Sequence, residues 1–306
     1  MGSLRLGGII PATVLPLTER YEIDEDSLRG YIKWLTKPRV GGLAVNVDTG
    51  EGPHLYMEEK VKVLEIVKDT VEDTVPVVSG LQANFTSQAV EVADTMKCAG
   101  ADALLVFPIA TFYGSPLPPE VPYAYHKTVA DKAKVPLVLF QLQKDLGGAE
   151  YSPECLSKLA TIEEVIAIKE ASFDAMKFLK TLRLLRSLPK RIAILTGNDN
   201  FIFESMVMGA DGALVGFGTL ATDLQVEMFE LIEKERYSEA REIADRLQPL
   251  ADVIFSPPVR NYRSRTKEAL VMLGVLRHAH MRPPLMPISD QERAVVRAAL
   301  KKAELL

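Results

Sequence analysis

The chain has 306 residues, 47% of them hydrophobic, with 36 Lys and Arg against 41 Asp and Glu for a formal net charge of -5. That length suits one large domain or two ordinary ones, and the interspersed charges supply neither a basic field for nucleic acid nor a polybasic membrane patch. Cys98 and Cys155 are far apart without CxxC spacing, no metal-ligand motif or cofactor signature is present, and no secretion signal or run of transmembrane length occurs, so the expectation is a cytoplasmic protein with reduced thiols.

Short apolar runs bounded by Gly or Pro predict strands at 8–15, 41–47, 75–80, 101–107, 135–141, 165–169, 192–196 and 212–217. Each is nearly continuously apolar, as parallel strands covered by helices should be. The stretches between them have helical spacing. Val61, Leu64 and Val67 recur on one face of 57–67, and Ala89, Val92, Ala93 and Met96 on one face of 86–99. Eight βα repeats predict an α/β fold of the (β/α)8 TIM-barrel type over 1–222. Beyond it, 223–247, 262–278 and 290–303 predict helices of a C-terminal extension over 223–306, broken at Pro257-Pro258. A doubly wound open sheet shares the alternation, but no GxGxxG follows the first strand.

In such barrels the chemistry gathers where strands end at their C-terminal face. The residues there are Thr13, the turn Asp48-Thr49-Gly50-Glu51, Gln82, 108–110, Phe140-Gln141, Lys169, Gly197-Asn198-Asp199 and 214–216, and Lys169 is the cationic side chain among them. A lysine ending the run Val165-Ile166-Ala167-Ile168 either reaches solvent or reacts. On the sixth of eight strands there is little solvent to reach, and desolvation frees the lone pair that attacks a ketone to form a Schiff base. The turn after the second strand either holds a carboxylate on its backbone N–H groups or caps a helix, and the turn at 197–199 has the same two readings. His54 is a candidate proton carrier or a structural histidine, while His126, His278 and His280 fall on predicted helices. Arg260, Arg263 and Arg265 read as a solvated or inter-subunit face, or as the reach of an anionic substrate group.

Taken together, these residues resemble the dihydrodipicolinate synthase and N-acetylneuraminate lyase superfamily of Schiff-base-forming aldolases and lyases. The likeness runs almost end to end: 8–17 is similar to its first strand, Thr49-Gly50-Glu51 to its GxxGE turn, 165–172 to its lysine strand, 196–199 to its GxD turn, Gly209-Ala210-Asp211-Gly212 to its GxDG turn, and 285–288 to its closing segment. The resemblance implies a barrel with a helical extension, a homo-oligomer (dimer or tetramer), and a 2-oxo acid such as pyruvate condensing with Lys169. It assigns the substrate carboxylate to the second-strand turn at Thr49 and Gly50, substrate contacts to Phe140 and Gly197, and orientation of the lysine to the carbonyl of Leu214.

The departures fall on proton transfer. A tyrosine normally ends the fifth strand; here Phe140 stands there and has no hydroxyl. A second family tyrosine falls near Ala110, with Phe112 and Tyr113 close by, and an arginine of the synthase falls at about Asp145. Asp48 replaces the first hydroxyl of the second-strand turn and is the candidate substitute acid or base, although it is equally able to pair with Lys169 or select a polar substrate. These changes argue against the lysine-biosynthetic synthase reaction and for another aldol or dehydration reaction of the same imine. The alternative expectation is a barrel that has lost catalysis and binds a small metabolite as a sensor or assembly subunit.

Overall fold

The computed structural model describes residues 4–113 and 117–306, apart from the side chain of Asp145. Eight parallel strands, β1 (Gly8–Pro11), β2 (Leu43–Val45), β3 (Val77–Leu81), β4 (Ala103–Val106), β5 (Leu137–Leu142), β6 (Val165–Ala171), β7 (Ala193–Thr196) and β8 (Gly212–Val215), lie in the order β1-β8-β7-β6-β5-β4-β3-β2. The ring closes between β1 and β2, where Ala12 pairs with Ala44 and the Thr13 amide donates to the Ala44 carbonyl at 2.9 Å. All eight sequence-predicted strands are present, each within a few residues of its expected bounds.

Helices α1 (Glu25–Leu35), α2 (Met57–Val71), α3 (Thr86–Cys98), α4 (Glu120–Ala133), α5 (Pro153–Leu159), α6 (Ala175–Ser187), α7 (Ile202–Val207) and α8 (Thr222–Glu233) alternate with the strands. The face predicted for α3, Ala89, Val92, Ala93 and Met96, is the face it buries. Starts are set by local chemistry: Asp174 accepts from the amides of Met176 and Lys177 at the head of α6, satisfying donors that lack a partner within the helix.

The apolar core has two parts. Val138, Phe140, Ala167, Ala171, Leu195 and Leu214 belong to a cluster inside the barrel, whereas Leu137, Leu139, Val165, Ile168 and Ile194 belong to the layer between barrel and helices. Along β6 the inward residues are therefore Ala167 and Ala171, and the two-residue period puts Lys169 between them on the inner face.

The tail differs from expectation in two places. The stretch 223–247 is two helices, α8 and α9 (Tyr237–Ile254), separated at Glu235, which has φ +58°. The first packs on β1 as the eighth barrel helix. Helix α10 (Tyr262–Met272) stops well short of 278 because Gly274, at φ +71°, ends it in the left-handed conformation, so His278 and His280 lie in the following coil. Helix α11 (Asp290–Lys302) begins with a Ser289–Glu292 capping box. Among the described residues no helix is long and apolar enough to cross a membrane.

One buried ion pair fastens this tail to the barrel mouth. Lys267 Nζ on α10 donates to Glu51 Oε1 at 2.5 Å, both side chains fully enclosed, and the Arg282 amide donates to Glu51 Oε2 at 2.8 Å. Removing one member leaves the other charge buried and alone. Lys267→Met should therefore cost about 3–5 kcal/mol in denaturant unfolding, a loss far larger than that of the exposed pair member Lys127→Met.

Candidate active site

An open-mouthed cavity sits at the C-terminal ends of the strands. Its wall includes Val47, Asp48 and Thr49 after β2, Phe140 and Leu142 on β5, Lys169 and Ala171 on β6, Gly197 and Asp199 after β7, and Gly216 after β8. Phe255, Val259, Arg260 and Tyr262 of the tail complete it. Of the residues singled out from sequence, Lys169, Asp48, Thr49, Phe140 and Gly197 come together there.

Others do not. Leu214 is wholly buried in the barrel interior opposite Ile10, and Gly50 packs against the Thr13 carbonyl, so neither belongs to the cavity wall. His54 lies in a short 3-10 turn away from the wall, its carbonyl accepting from Arg282. His126 is buried on α4 against the Pro122 carbonyl, and burial lowers its pKa to about 4. Gln82 and Gln141 bond to Lys60 and Asn46, and to Glu170 and the Tyr151 amide, respectively, holding neighbouring elements together. Phe112 packs edge-on against Tyr125, and the exposed Tyr113 donates to the Pro108 carbonyl. In the loop at 108–119, residues 114–116 lie outside the described residues, as does the side chain of Asp145.

Lys169 is surrounded by protein and keeps only part of its surface open to the cavity. Burial holds its amine below the ordinary lysine range, opposed by the negative charges of Asp199 and Asp48. Its Nζ stands 4.7 Å from the centre of the Phe140 ring, which is itself braced edge-on by Phe107. An aromatic face at that distance attracts a cation, whether ammonium or protonated imine.

Two local features make room for this amine and hold its strand. A Cβ on Gly197 would lie 2.6 Å from Lys169 Cε and 2.9 Å from Ala171 Cβ, so a side chain there would drive the lysine from its place. Asn198 is buried and bridges strands: its Nδ2 donates to the Glu170 carbonyl at 3.0 Å and to Glu170 Oε2 at 2.9 Å, and its Oδ1 accepts from the Phe173 amide at 2.6 Å. The outward side chain next to Lys169 thus pins the strand end from which the lysine projects inward.

Asp199 is buried beside the lysine. Burial raises its carboxyl to about 6, while the Phe217 amide, donating at 2.7 Å, and the charge of Lys169 pull the other way. Asp48 is differently placed. Arg263 forms an ion pair with its carboxylate and donates from Nε to its carbonyl at 2.7 Å, and the Tyr262 hydroxyl donates to Oδ2 at 2.9 Å. Thr49 Oγ1 is 3.2 Å from the same hydroxyl. Asp48 pairs with Arg263, not with Lys169.

Two of the three arginines in the basic cluster of the tail are accordingly on no solvated face. Arg263 is buried on Asp48, and Arg265 is buried on Glu292 and the carbonyls of Ile254 and Ser256. Arg260 is exposed at the cavity wall, donating to the Leu146 carbonyl at 2.8 Å, so Lys169 is not alone as a cation at the mouth. Sequence reasoning missed Tyr262 and offered Arg263 only as a solvated or inter-subunit face or the reach of an anionic substrate group, since their partner Asp48 is more than 200 positions away. The one local hint was an aromatic pair, Phe255 and Tyr262, flanking the Pro257-Pro258 break.

An enclosed lysine stands at the mouth of a (β/α)8 barrel, with carboxylates and a phenol around it. Residues 5–303 match the model of the Dihydrodipicolinate synthetase family, and the chain belongs to that family, whose members are lyases. The 4-hydroxy-tetrahydrodipicolinate synthase of Methanothrix thermoacetophila is 32% identical over 295 residues, 96% of each chain. That of Archaeoglobus fulgidus is 29% identical, over 98% of this chain and 99% of its own. Among solved structures, the dihydrodipicolinate synthase of Acinetobacter baumannii complexed with pyruvate superposes with a TM-score of 0.87 at 26% identity, covering 98% of this chain and all of its own. The dihydrodipicolinate synthase of Thermotoga maritima, at 24% identity and a TM-score of 0.90 over 99% of this chain and all of its own, supports the fold alone. The Phe140 departure argues against the synthase reaction, yet the named relatives give that exclusion no support.

The charges around Lys169 can be tested one at a time. Asp199 favours the protonated amine, so Asp199→Asn should lower the pKa of Lys169 further. The pH midpoint of its labelling by an amine-acylating reagent, read by mass on the Lys169 peptide, should move down. A midpoint that stays put or rises would mean that Asp199 exerts no such influence.

Proposed function

We propose that this lyase forms a Schiff base between Lys169 and pyruvate or a related 2-oxo acid, and uses the protonated imine as an electron sink for aldol cleavage, aldol condensation or dehydration. The observation that carries the reading is the amine itself: enclosed, held below its ordinary pKa, and facing a cavity through Gly197. A neutral amine attacks a ketone, and the imine that follows is a cation sitting over the Phe140 ring. The related Acinetobacter baumannii enzyme, solved complexed with pyruvate, adds support.

The roles follow from position. Lys169 is the nucleophile. Thr49, beside the N-terminal end of the short turn after β2, is placed to meet the substrate carboxylate, with Gly50 supporting the turn behind it. Asp199 lies on the other side of the lysine, where a carboxyl near pH 6 suits proton exchange with a substrate hydroxyl. Asp48 lines the cavity, tied to Arg263 and accepting from the Tyr262 hydroxyl.

Incubation with a panel of 2-oxo acids and borohydride, followed by mass analysis, tests the reading. Pyruvate or another member should leave a reduced adduct on Lys169, and Lys169→Ala should leave none. Gly197→Ala, which displaces the lysine by about an ångström, should slow adduct formation about 100-fold. Absence of an adduct with every acid of the panel would sink the proposal. The same panel without borohydride, with products read by NMR, distinguishes 4-hydroxy-tetrahydrodipicolinate formation from other aldol and dehydration products.

A further inference from the structure

We infer that Tyr262, brought to the mouth by the C-terminal extension, is the proton carrier for the imine chemistry of Lys169, taking the part that the strand position Phe140 cannot play. The inference rests on the Schiff-base reading above and adds to it a residue from outside the eight strands.

Four observations place it. Tyr262 lines the same cavity as Lys169. Its hydroxyl is held at two points, donating to Asp48 Oδ2 at 2.9 Å and lying 3.2 Å from Thr49 Oγ1. Its ring is fixed, stacked on Phe255 with centroids 5.0 Å apart and under the Arg263 guanidinium at 5.4 Å. The approach depends on Gly216, where a Cβ would come within 3.2 Å of the ring and 3.3 Å of Thr49 Oγ1. A tyrosine recruited only for packing needs none of the polar arrangement.

Asp48 is the charge shared by both groups: it acts on Lys169 and on Tyr262 alike. Burial, with Asp48 beside it, keeps the phenol protonated well above its ordinary range. Once a basic oxygen forms at the substrate, that proton has somewhere to go. Attack of the neutral amine on C2 forms the N–C bond and, after the amine proton moves to oxygen, leaves a carbinolamine. Tyr262 then gives its proton to the carbinolamine hydroxyl, the C–O bond breaks, water departs, and the nitrogen lone pair closes the C=N bond. The phenolate so formed faces a newly made iminium cation. It recovers a proton from C3 of the imine, whose C–H electrons flow to nitrogen as the enamine forms. One proton leaves in water and one returns from carbon, so no other reactant is consumed.

Pyruvate in D2O reports this step without knowledge of the natural substrate, because each enamine formed exchanges a C3 hydrogen for deuterium, visible by NMR. Tyr262→Phe keeps the ring and removes the hydroxyl. It should still give the reduced pyruvate adduct on Lys169 when borohydride trapping is run to its end point, while C3 exchange falls about 100-fold or more. Adding Phe140→Tyr to that variant, which returns a phenol to the strand, should recover part of the exchange. Exchange within threefold of the wild type would overturn the inference. So would a loss of adduct in proportion to the loss of exchange, since that marks a structural role. If the wild-type protein itself traps no adduct, the Schiff-base reading fails and this inference falls with it; a wild-type adduct with unchanged exchange in Tyr262→Phe overturns this inference alone.

Discussion

The buried pair between Glu51 and Lys267 decides where the tail of the chain goes. Glu51 sits in the turn after β2 at φ +58°, a conformation that costs a side-chain-bearing residue of order 1–3 kcal/mol unless its surroundings hold it there. Lys267 and the Arg282 amide do so from one side, and Arg282 also clamps Glu59 on α2 with both terminal guanidinium nitrogens. Two parts of the tail are thereby fixed to one corner of the barrel. Because Tyr262 and Arg263 precede Lys267 on the same short helix, fastening Lys267 also sets them over Asp48 and Thr49. An ion pair away from the cavity thus controls the shape of the cavity.

Charge in the cavity is arranged so that no single group dominates. An isolated buried lysine would lose its proton altogether, and one paired tightly to a carboxylate would hold it. Lys169 lies between: burial pushes its pKa down, while Asp199 and Asp48 push it up. Asp48 is kept from a direct salt bridge to the amine by Arg263, which occupies its carboxylate. The other enclosed lysines have settled partners, Lys267 on Glu51 and Lys60 on Gln82, and face no such opening.

The barrel was legible because its signals are local. Eight apolar runs separated by helical spacing suffice for the strands, and the period of two on β6 suffices to turn Lys169 inward. Helix ends were less legible, since Gly274 and Glu235 interrupt patterns that otherwise continue. The site was half legible. Strand-end residues such as Lys169, Asp48 and Phe140 could be listed from topology, and so could Leu214 and Gly50, but which of them face the cavity could not: those two lie outside its wall. What the tail adds could not be read in this way: Arg263 on Asp48 and Lys267 on Glu51 are contacts across more than two hundred residues, and in sequence those cations look like the solvated face of a helix.

Moving the phenol from strand to extension has a structural consequence. A hydroxyl on β5 would be fixed by the sheet ladder, with Phe140 paired directly to Lys169 in register. On α10 it is fixed instead by the docking of the tail, through Glu51 and Asp48. The strand position instead presents an aromatic face to the Lys169 amine. The barrel alone supplies the enclosed amine. Only with the tail in place does the mouth hold the amine, the carboxylates and a phenol together, so the make-up of the site at the strand ends depends on a contact made by residues far outside them.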